Sequence, residues 1–510
     1  MKKFDYSINP QTGIHRCRVW SLAGLAINDG ATILYMIMMS YISYYMIGFV
    51  GVATVFATSF IAMMRVWDGV TDPFMGFLVD RTHGKFGKNR PYLVLGNVIL
   101  LVFSYIMFHV TPLIPEKLRL LFFVVVTLIY YLGYTFQCIV TKSALSCLTN
   151  DPKQRSLYGM FLNVFGNVFG VIITLYVSNA LVPKYGSMYS LELFHDMWKF
   201  VAVLSAVLTI IAVISIARKD REEYSGTGKV QQVRLREYID VIGHNKALQM
   251  LVLAATTDKL AAITKTGSAV TIVLYGVVAG NYALYGGFNI YTTLAGILFA
   301  MLALGILAPK IGMRKSVTVG SIAGIIIASL SALLWLFGDP KTLCLPGYSN
   351  GYGEAFSGFT FFTAAFMLLS IIGTFFNALT TNTIVPMTAD CTDYETYRSG
   401  RYVPGMIGTL FSFVDKMISS LGSVVTGLVF ALIGFGSALP DVSTPETPAL
   451  RYAGIFLGFG LVIIGYICNL IAMKHYPLTN EKMKEIQEEI AAIKLGNTAE
   501  TSADTAPETV

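Results

Sequence analysis

The segment Arg65-Val-Trp67-Asp68-Gly-Val-Thr71-Asp72-Pro73 sets a guanidinium and two carboxylates inside a run otherwise apolar enough to cross a bilayer. Asp68 and Asp72 are four residues apart, one turn on one face of a helix, and Arg65 precedes Asp68 by three. An ionised side chain at mid-membrane costs roughly 2.5–3.5 kcal/mol on insertion scales. Three together need partners, a water-filled cavity or a bound cation. A hard cation wants several oxygen ligands, and two carboxylates on one face begin such a shell, which hydroxyls or carbonyls can complete. The same spacing suits a shared proton. Pro73 withholds an N–H, so the Gly69 carbonyl is either a further ligand or the site of a kink. The competing reading is a purely structural network in which Arg65 and Lys416 neutralise the two acids.

The elements that must position these groups are membrane helices. Of 510 residues, 55% are hydrophobic and 13% charged, about half the charged share of a soluble chain. The expected fold class is an all-α polytopic membrane protein with twelve spans. They are placed at 19–47, 51–80, 92–113, 119–148, 156–182, 198–217, 247–276, 283–308, 316–338, 357–389, 403–436 and 451–473. The N-terminus shows no cleavable signal, and the first apolar run is expected to act as an uncleaved anchor. Twenty-six of the 37 Lys and Arg fall on the side of the termini and six on the other. The positive-inside rule therefore places both termini in the cytoplasm. This topology accounts for the net charge of +7 without a nucleic-acid partner. The six cysteines are scattered, with no metal-ligand spacing, and are expected to be small core residues.

The basic stretch 218–246 reads as a cytoplasmic linker between an N-terminal six-helix half (1–217) and a C-terminal half (247–474). Residues 475–510 read as a cytoplasmic tail, partly disordered. The halves echo each other. Gly76-Phe-Leu-Val-Asp80-Arg81, followed by Gly84-Lys-Phe-Gly87-Lys88-Asn-Arg90-Pro91, returns in shorter form at Gly305-Ile-Leu-Ala-Pro309-Lys310-Ile-Gly312-Met-Arg314-Lys315. Two halves with matching basic loops are what a major-facilitator architecture predicts.

Four segments together resemble the glycoside–pentoside–hexuronide:cation symporter family. They are Arg65–Pro73, Asp80–Pro91, Leu148-Thr-Asn-Asp151-Pro-Lys-Gln-Arg155, and Asp390-Cys-Thr-Asp393-Tyr-Glu395 followed by Arg401 and Lys416. The resemblance implies import of a sugar or sugar derivative coupled to Na+, H+ or Li+, with no cofactor and no metal beyond a transported ion. It implies a cation site at Asp68, Asp72, Thr71 and Thr135, with Lys416 nearby. It implies substrate contacts at Asp29 (with a one-residue ambiguity against Asn28), Tyr134, Cys138, Lys142 and Asn163. The family's helix-4 acid, its stacking aromatic and a helix-5 arginine fall on Cys138, Lys142 and Asn163, so melibiose-type recognition is not implied. The expected partners are the sugar and the lipid bilayer, and a monomer is expected to suffice.

The remaining intramembrane charges are Lys142, Lys259, Lys265, Lys416 and Asp258, expected to face a central cavity. Lys142 adds positive charge on the substrate side and suggests an anionic substrate, such as a hexuronate. Alternatively Lys259 and Lys265 snorkel or pair with Asp258. Trp67 and Tyr134 are candidates to stack on a sugar face. Asp80, Arg81, Arg90, Asp151 with Arg155, and Asp393 with Glu395 and Arg401 are expected to latch neighbouring helices in one access state. Both helix-2 acids are expected to be needed for concentrative uptake, Asp72 at least as much as Asp68. No HExxH, GxSxG or Cys/His cluster supports an enzyme. An uncoupled facilitator, or a lipid or drug transporter of the same fold, are the alternatives carried forward.

Overall fold

The computed structural model describes residues 15–81, 86–149, 151–220, 243–302, 307–354, 360–399 and 404–479, with most of 481–489. Among them, twelve long helices follow in order: α1 Val19–Ser40, α2 Thr54–Arg81, α3 Arg90–Tyr105, α4 Glu116–Leu148, α5 Pro152–Leu175, α6 Leu191–Ile216, α7 Lys246–Thr266, α8 Ala283–Leu302, α9 Met313–Phe337, α10 Phe361–Ser399, α11 Pro404–Leu432 and α12 Pro448–His475. Eleven of these, with short π- and 3-10-helical continuations, are long and apolar enough to cross a membrane. The twelfth is α2, whose 28 residues span a bilayer by length but carry the charged segment 65–72.

Local chemistry sets the helix starts. Asp151 caps α5 by accepting the Lys153 N–H at 3.0 Å, with Pro152 at the first helical position. Ser190 caps α6 in the same way on Leu193, so α6 begins at 191 and not at the expected 198. Asn245 caps α7 on Leu248 at 2.9 Å. In the repeated loops, Gly87 (φ 86°) and Gly312 (φ 92°) each take the left-handed backbone just before α3 and α9. Much of the linker (221–242), Arg401 and the tail beyond 489 lie outside the described residues. None of the six cysteines forms a disulfide.

α1 packs on α5 and α6, α3 on α4 and α6, and α2 on α4. In the second half α7 packs on α11 and α12, α9 on α10 and α12, and α8 on α10. The main helix crossings between the halves are α2 with α11 and α5 with α8. The α2–α11 crossing is tight because Gly427 lies directly against the Thr58 side chain and leaves no room for a Cβ. Large apolar side chains such as Val203, Leu298 and Phe337 point outward, as lipid in place of water requires.

Candidate functional site

The charge pair of α2 is brought against α4 and α11. Asp68 is 2% exposed. Its Oδ1 accepts the Thr135 hydroxyl at 2.8 Å, and its Oδ2 accepts the Lys416 ammonium at 3.1 Å. Lys416 Nζ also donates to Asp72 Oδ2 at 2.5 Å. The Thr71 hydroxyl donates to the Asp68 carbonyl oxygen at 3.2 Å and lies 3.5 Å from that of Thr135. Thr71 and Thr135 thus hold Asp68, and the group that the Asp68 and Asp72 carboxylates share is the ammonium of the opposite half. Arg65, three residues before Asp68, instead lines the central cavity with Tyr134. α2 runs on as a helix through position 73.

Beside this cluster lies a central cavity of about 770 Å³, within the range of ligand sites. Asp29, Tyr134 and Asn163 line it from the N-terminal half, and Lys259, Asn289 and Lys416 from the C-terminal half. Asn28 is corrected: it is fully buried away from the cavity. It donates to Gln137 at 2.6 Å and to Thr141, and accepts from Thr209, tying α1 to α4 and α6. Cys138 is corrected too, because the α4 wall of the cavity ends at Tyr134, one turn before it. Trp67 leaves the sugar site by donating its indole N–H to the Leu128 carbonyl at 3.2 Å. The Lys142, Asp80 and Arg81 side chains lie outside the described residues.

Sequence reasoning missed Asp415, which sits next to Lys416 on α11 and pairs with Lys259. Lys259 therefore does not pair with Asp258, whose described partner is the Thr381 hydroxyl at 3.1 Å. The signal was available as an acid inside an apolar run.

The expected latches at the terminal end are rearranged. Asp151 pairs with Arg16 at 2.5 Å and not with Arg155, whose Nε donates to the Thr149 carbonyl. A capping residue has extended backbone, so its side chain turns back over the helix start and away from position 155. The Lys153 N–H, followed by Arg16, holds the Asp151 carboxyl below the usual carboxylate range. Glu395 accepts Asn245 Nδ2 at 2.9 Å and pairs with Arg398 at 2.8 Å, one turn along α10. Asp393, two residues away, lies on the other side of that helix, and its expected partner Arg401 is outside the described residues. Arg90 lies 3.5 Å from Asp220, a residue the sequence reading passed over. Asp220 is 1% exposed and accepts the backbone N–H groups of Lys88, Asn89 and Arg90, plus Asn89 Nδ2. Each of these contacts joins elements of one half.

At the opposite end the two halves are sealed to each other. The Tyr41 and Tyr282 hydroxyls meet at 3.2 Å, and Tyr44 donates to the Pro440 carbonyl at 2.8 Å. Tyr189 donates to the Leu439 carbonyl at 3.0 Å. Asp441, 4% exposed, accepts Ser187 Oγ at 2.5 Å and the Met188 N–H at 3.0 Å, and also the Val442 N–H. Replacing Asp441 by alanine is expected to accelerate hydrogen exchange at the Met188 and Val442 amides roughly tenfold. Unchanged exchange at both would show that the seal does not depend on this carboxylate.

Twelve long helices in two packed halves around a cavity, closed at one end, define a major-facilitator carrier. The MFS/sugar transport protein family matches residues 25–480, and the chain belongs to it. Within it the chain is a glycoside–pentoside–hexuronide:cation symporter relative. It is 22% identical over 442 residues to a glucuronide carrier protein homolog of Escherichia coli (86% of this chain, 88% of that one). It is 23% identical over 470 residues to an isoprimeverose transporter of Lactiplantibacillus pentosus (90% of each). A putative glycoside/cation symporter of Escherichia coli is 24% identical over 425 residues (78% and 81%). Among solved structures, the nucleoside transporter NupG superposes with a TM-score of 0.58 at 11% identity, covering 90% of this chain and 100% of that one. A bacterial Spinster homologue, inward-facing, gives 0.57 at 12% identity, covering 90% and 95%. These structures share the fold.

Proposed function

We propose that the chain is a cation-coupled symporter that imports a sugar or sugar derivative across a bacterial inner membrane by alternating access, with both termini in the cytoplasm. The observation that carries this reading is the position of Lys416. It reaches from α11 of one half to two carboxylates on α2 of the other, so a cation entering the oxygen cluster must compete with it. A Na+ ion or a proton on Asp68 and Asp72 releases the ammonium, and with it an ion pair between the halves. Ion binding and the rocking of the halves then become one coupled equilibrium. Substrate in the central cavity touches both halves, and Tyr134, Asp29 and Asn163 supply an aromatic face, a carboxylate and an amide suited to a sugar ring. The sealed end is the outer end, so the conformation described is one closed to the outside.

One observation favours an uncoupled facilitator: Lys416 already satisfies both carboxylates. Uptake of a labelled sugar panel into proteoliposomes, with and without an imposed Na+ or pH gradient, separates the two. A symporter accumulates at least one sugar above its outside concentration only with a gradient. Equal plateaus in both conditions would overturn coupling.

A further inference from the structure

A second chamber of about 300 Å³ lies wholly within the C-terminal half, between α7, α8, α9, α10 and α12. It shares Thr266, Tyr285 and Asn289 with the wall of the central cavity, so the two spaces are neighbours across those side chains. Asp258 and Lys265 mark its ends. They are seven residues apart on α7, on one face, with a rise of about 10 Å between them. The walls between are aromatic, with Tyr275, Phe288 and Trp335.

Charge distribution singles out Lys265. Lys259 is held by Asp415, and Lys416 by Asp68 and Asp72. Among the described residues Lys265 forms no ion pair, and its ammonium stands 5.7 Å above the Phe459 ring. Its side chain is exposed and lines the chamber. An ammonium so placed attracts an anion, and a charge-assisted hydrogen bond to a carboxylate is about twice as strong as a neutral one. At the other end Asp258 is 6% exposed and has one described donor, Thr381. It has capacity left to accept hydroxyls and repels a second carboxylate, so the pair of charges fixes one orientation of a ligand. A further observation agrees: Trp335 is fully buried, and its indole N–H has no partner among the described residues.

We propose that this chamber is a second substrate compartment that takes the carboxylate-bearing ring of a sugar acid, with the carboxylate on Lys265 and ring hydroxyls on Asp258. Tyr275, half-buried on the chamber wall, offers an aromatic face to such a ring, with Phe288 and Trp335 packed behind it. The proposal rests on the reading of the chain as a sugar carrier, and it moves the anionic preference from Lys142 on α4 to Lys265 on α7.

The test uses the full-length carrier in proteoliposomes with p-nitrophenyl β-D-glucuronide and the matching neutral β-D-glucoside as probes. The wild-type protein is expected to take up the glucuronide at least tenfold better at equal concentration. Lys265→Met is expected to lower the glucuronide-to-glucoside ratio at least tenfold, and Lys265→Arg to keep it within threefold of wild type. Asp258→Asn is expected to weaken uptake of the glucuronide, with the ratio shifting less than in Lys265→Met. Each variant is first shown to be monodisperse in detergent, and if Lys265→Met fails there, Lys265→Gln replaces it. An unchanged ratio in the lysine-to-neutral variant, or a wild-type preference for the glucoside, would overturn the compartment alone. Wild-type protein that moves neither probe, nor any other sugar, would overturn the carrier reading with it.

Discussion

Asp68→Asn is expected to abolish gradient-driven accumulation, lowering it roughly 100-fold, about 2.7 kcal/mol of lost coupling. The substitution keeps the shape and one oxygen for Thr135, and removes the charge that both Lys416 and an incoming cation need. Asp68 is almost fully buried and both of its oxygens are occupied, by Thr135 and by Lys416. Asp72 has a side chain 35% exposed and accepts the Lys416 ammonium. Solvent can replace part of what Asp72 provides, so Asp72→Asn is expected to lose less, roughly tenfold. This ordering departs from the sequence expectation, in which Asp72 mattered at least as much. Initial rates and plateaus of uptake, with protein levels matched by quantifying the purified carrier, check it. Full accumulation by Asp68→Asn would refute the cluster as the coupling site.

The second large effect is expected at Lys416. Lys416→Met leaves two carboxylates one turn apart with no ammonium between them. If the lysine stands in for the cation in the empty carrier, the variant binds Na+ or H+ at least tenfold more tightly, because a competitor is gone and the acids repel each other until a cation arrives. Net uptake falls, since the empty carrier can no longer cross back with its acids neutralised. Exchange of external for internal substrate by the loaded carrier persists. Isothermal titration of the cation and a comparison of net uptake with exchange measure both halves of this statement. A purely structural Lys416 gives another pattern: a loss of stability of roughly 3–5 kcal/mol on breaking the buried pair, no gain in cation affinity, and net uptake and exchange reduced together.

Much of the fold was legible because lipid leaves only a few solutions for an apolar chain. Runs of about 20 apolar residues have to be helices. The spacing of Asp68 and Asp72 was legible as one helical face, since that information is local. Their partner was not local. Lys416 reaches them across more than half the chain; as an intramembrane charge it was a candidate neutraliser, and the family resemblance placed it near the cation site. Asp151 and Arg155 show the opposite failure. Their i, i+4 spacing suggests a pair, yet Asp151 stands outside the helix as its cap and turns to Arg16. Asp220 was hidden at the edge of a basic linker, and Asp441 in an outer loop beside Pro440. Neither spacing nor hydropathy distinguishes a loop carboxylate that collects backbone N–H groups from one that merely faces water. Asn28 and Asp29 could not be told apart by alignment, whereas the structure sends one into the helix packing and the other to the cavity.

The closure at the far end sets hydroxyls, carbonyls and one carboxylate, with Tyr41, Tyr44, Tyr189 and Asp441 as its polar joints, among buried apolar side chains of both halves. Each joint that parts can be rehydrated, exchanging a net contribution of about 1 kcal/mol for a contact with water. An oily plug would behave differently, since every square ångström parted would expose surface at about 25 cal/mol, and the gaping mouth would be adhesive. Polar joints set into the apolar packing make parting the halves less costly than a wholly oily closure would. Small inputs, such as one ion or one sugar ring, then go further towards parting them, cycle after cycle.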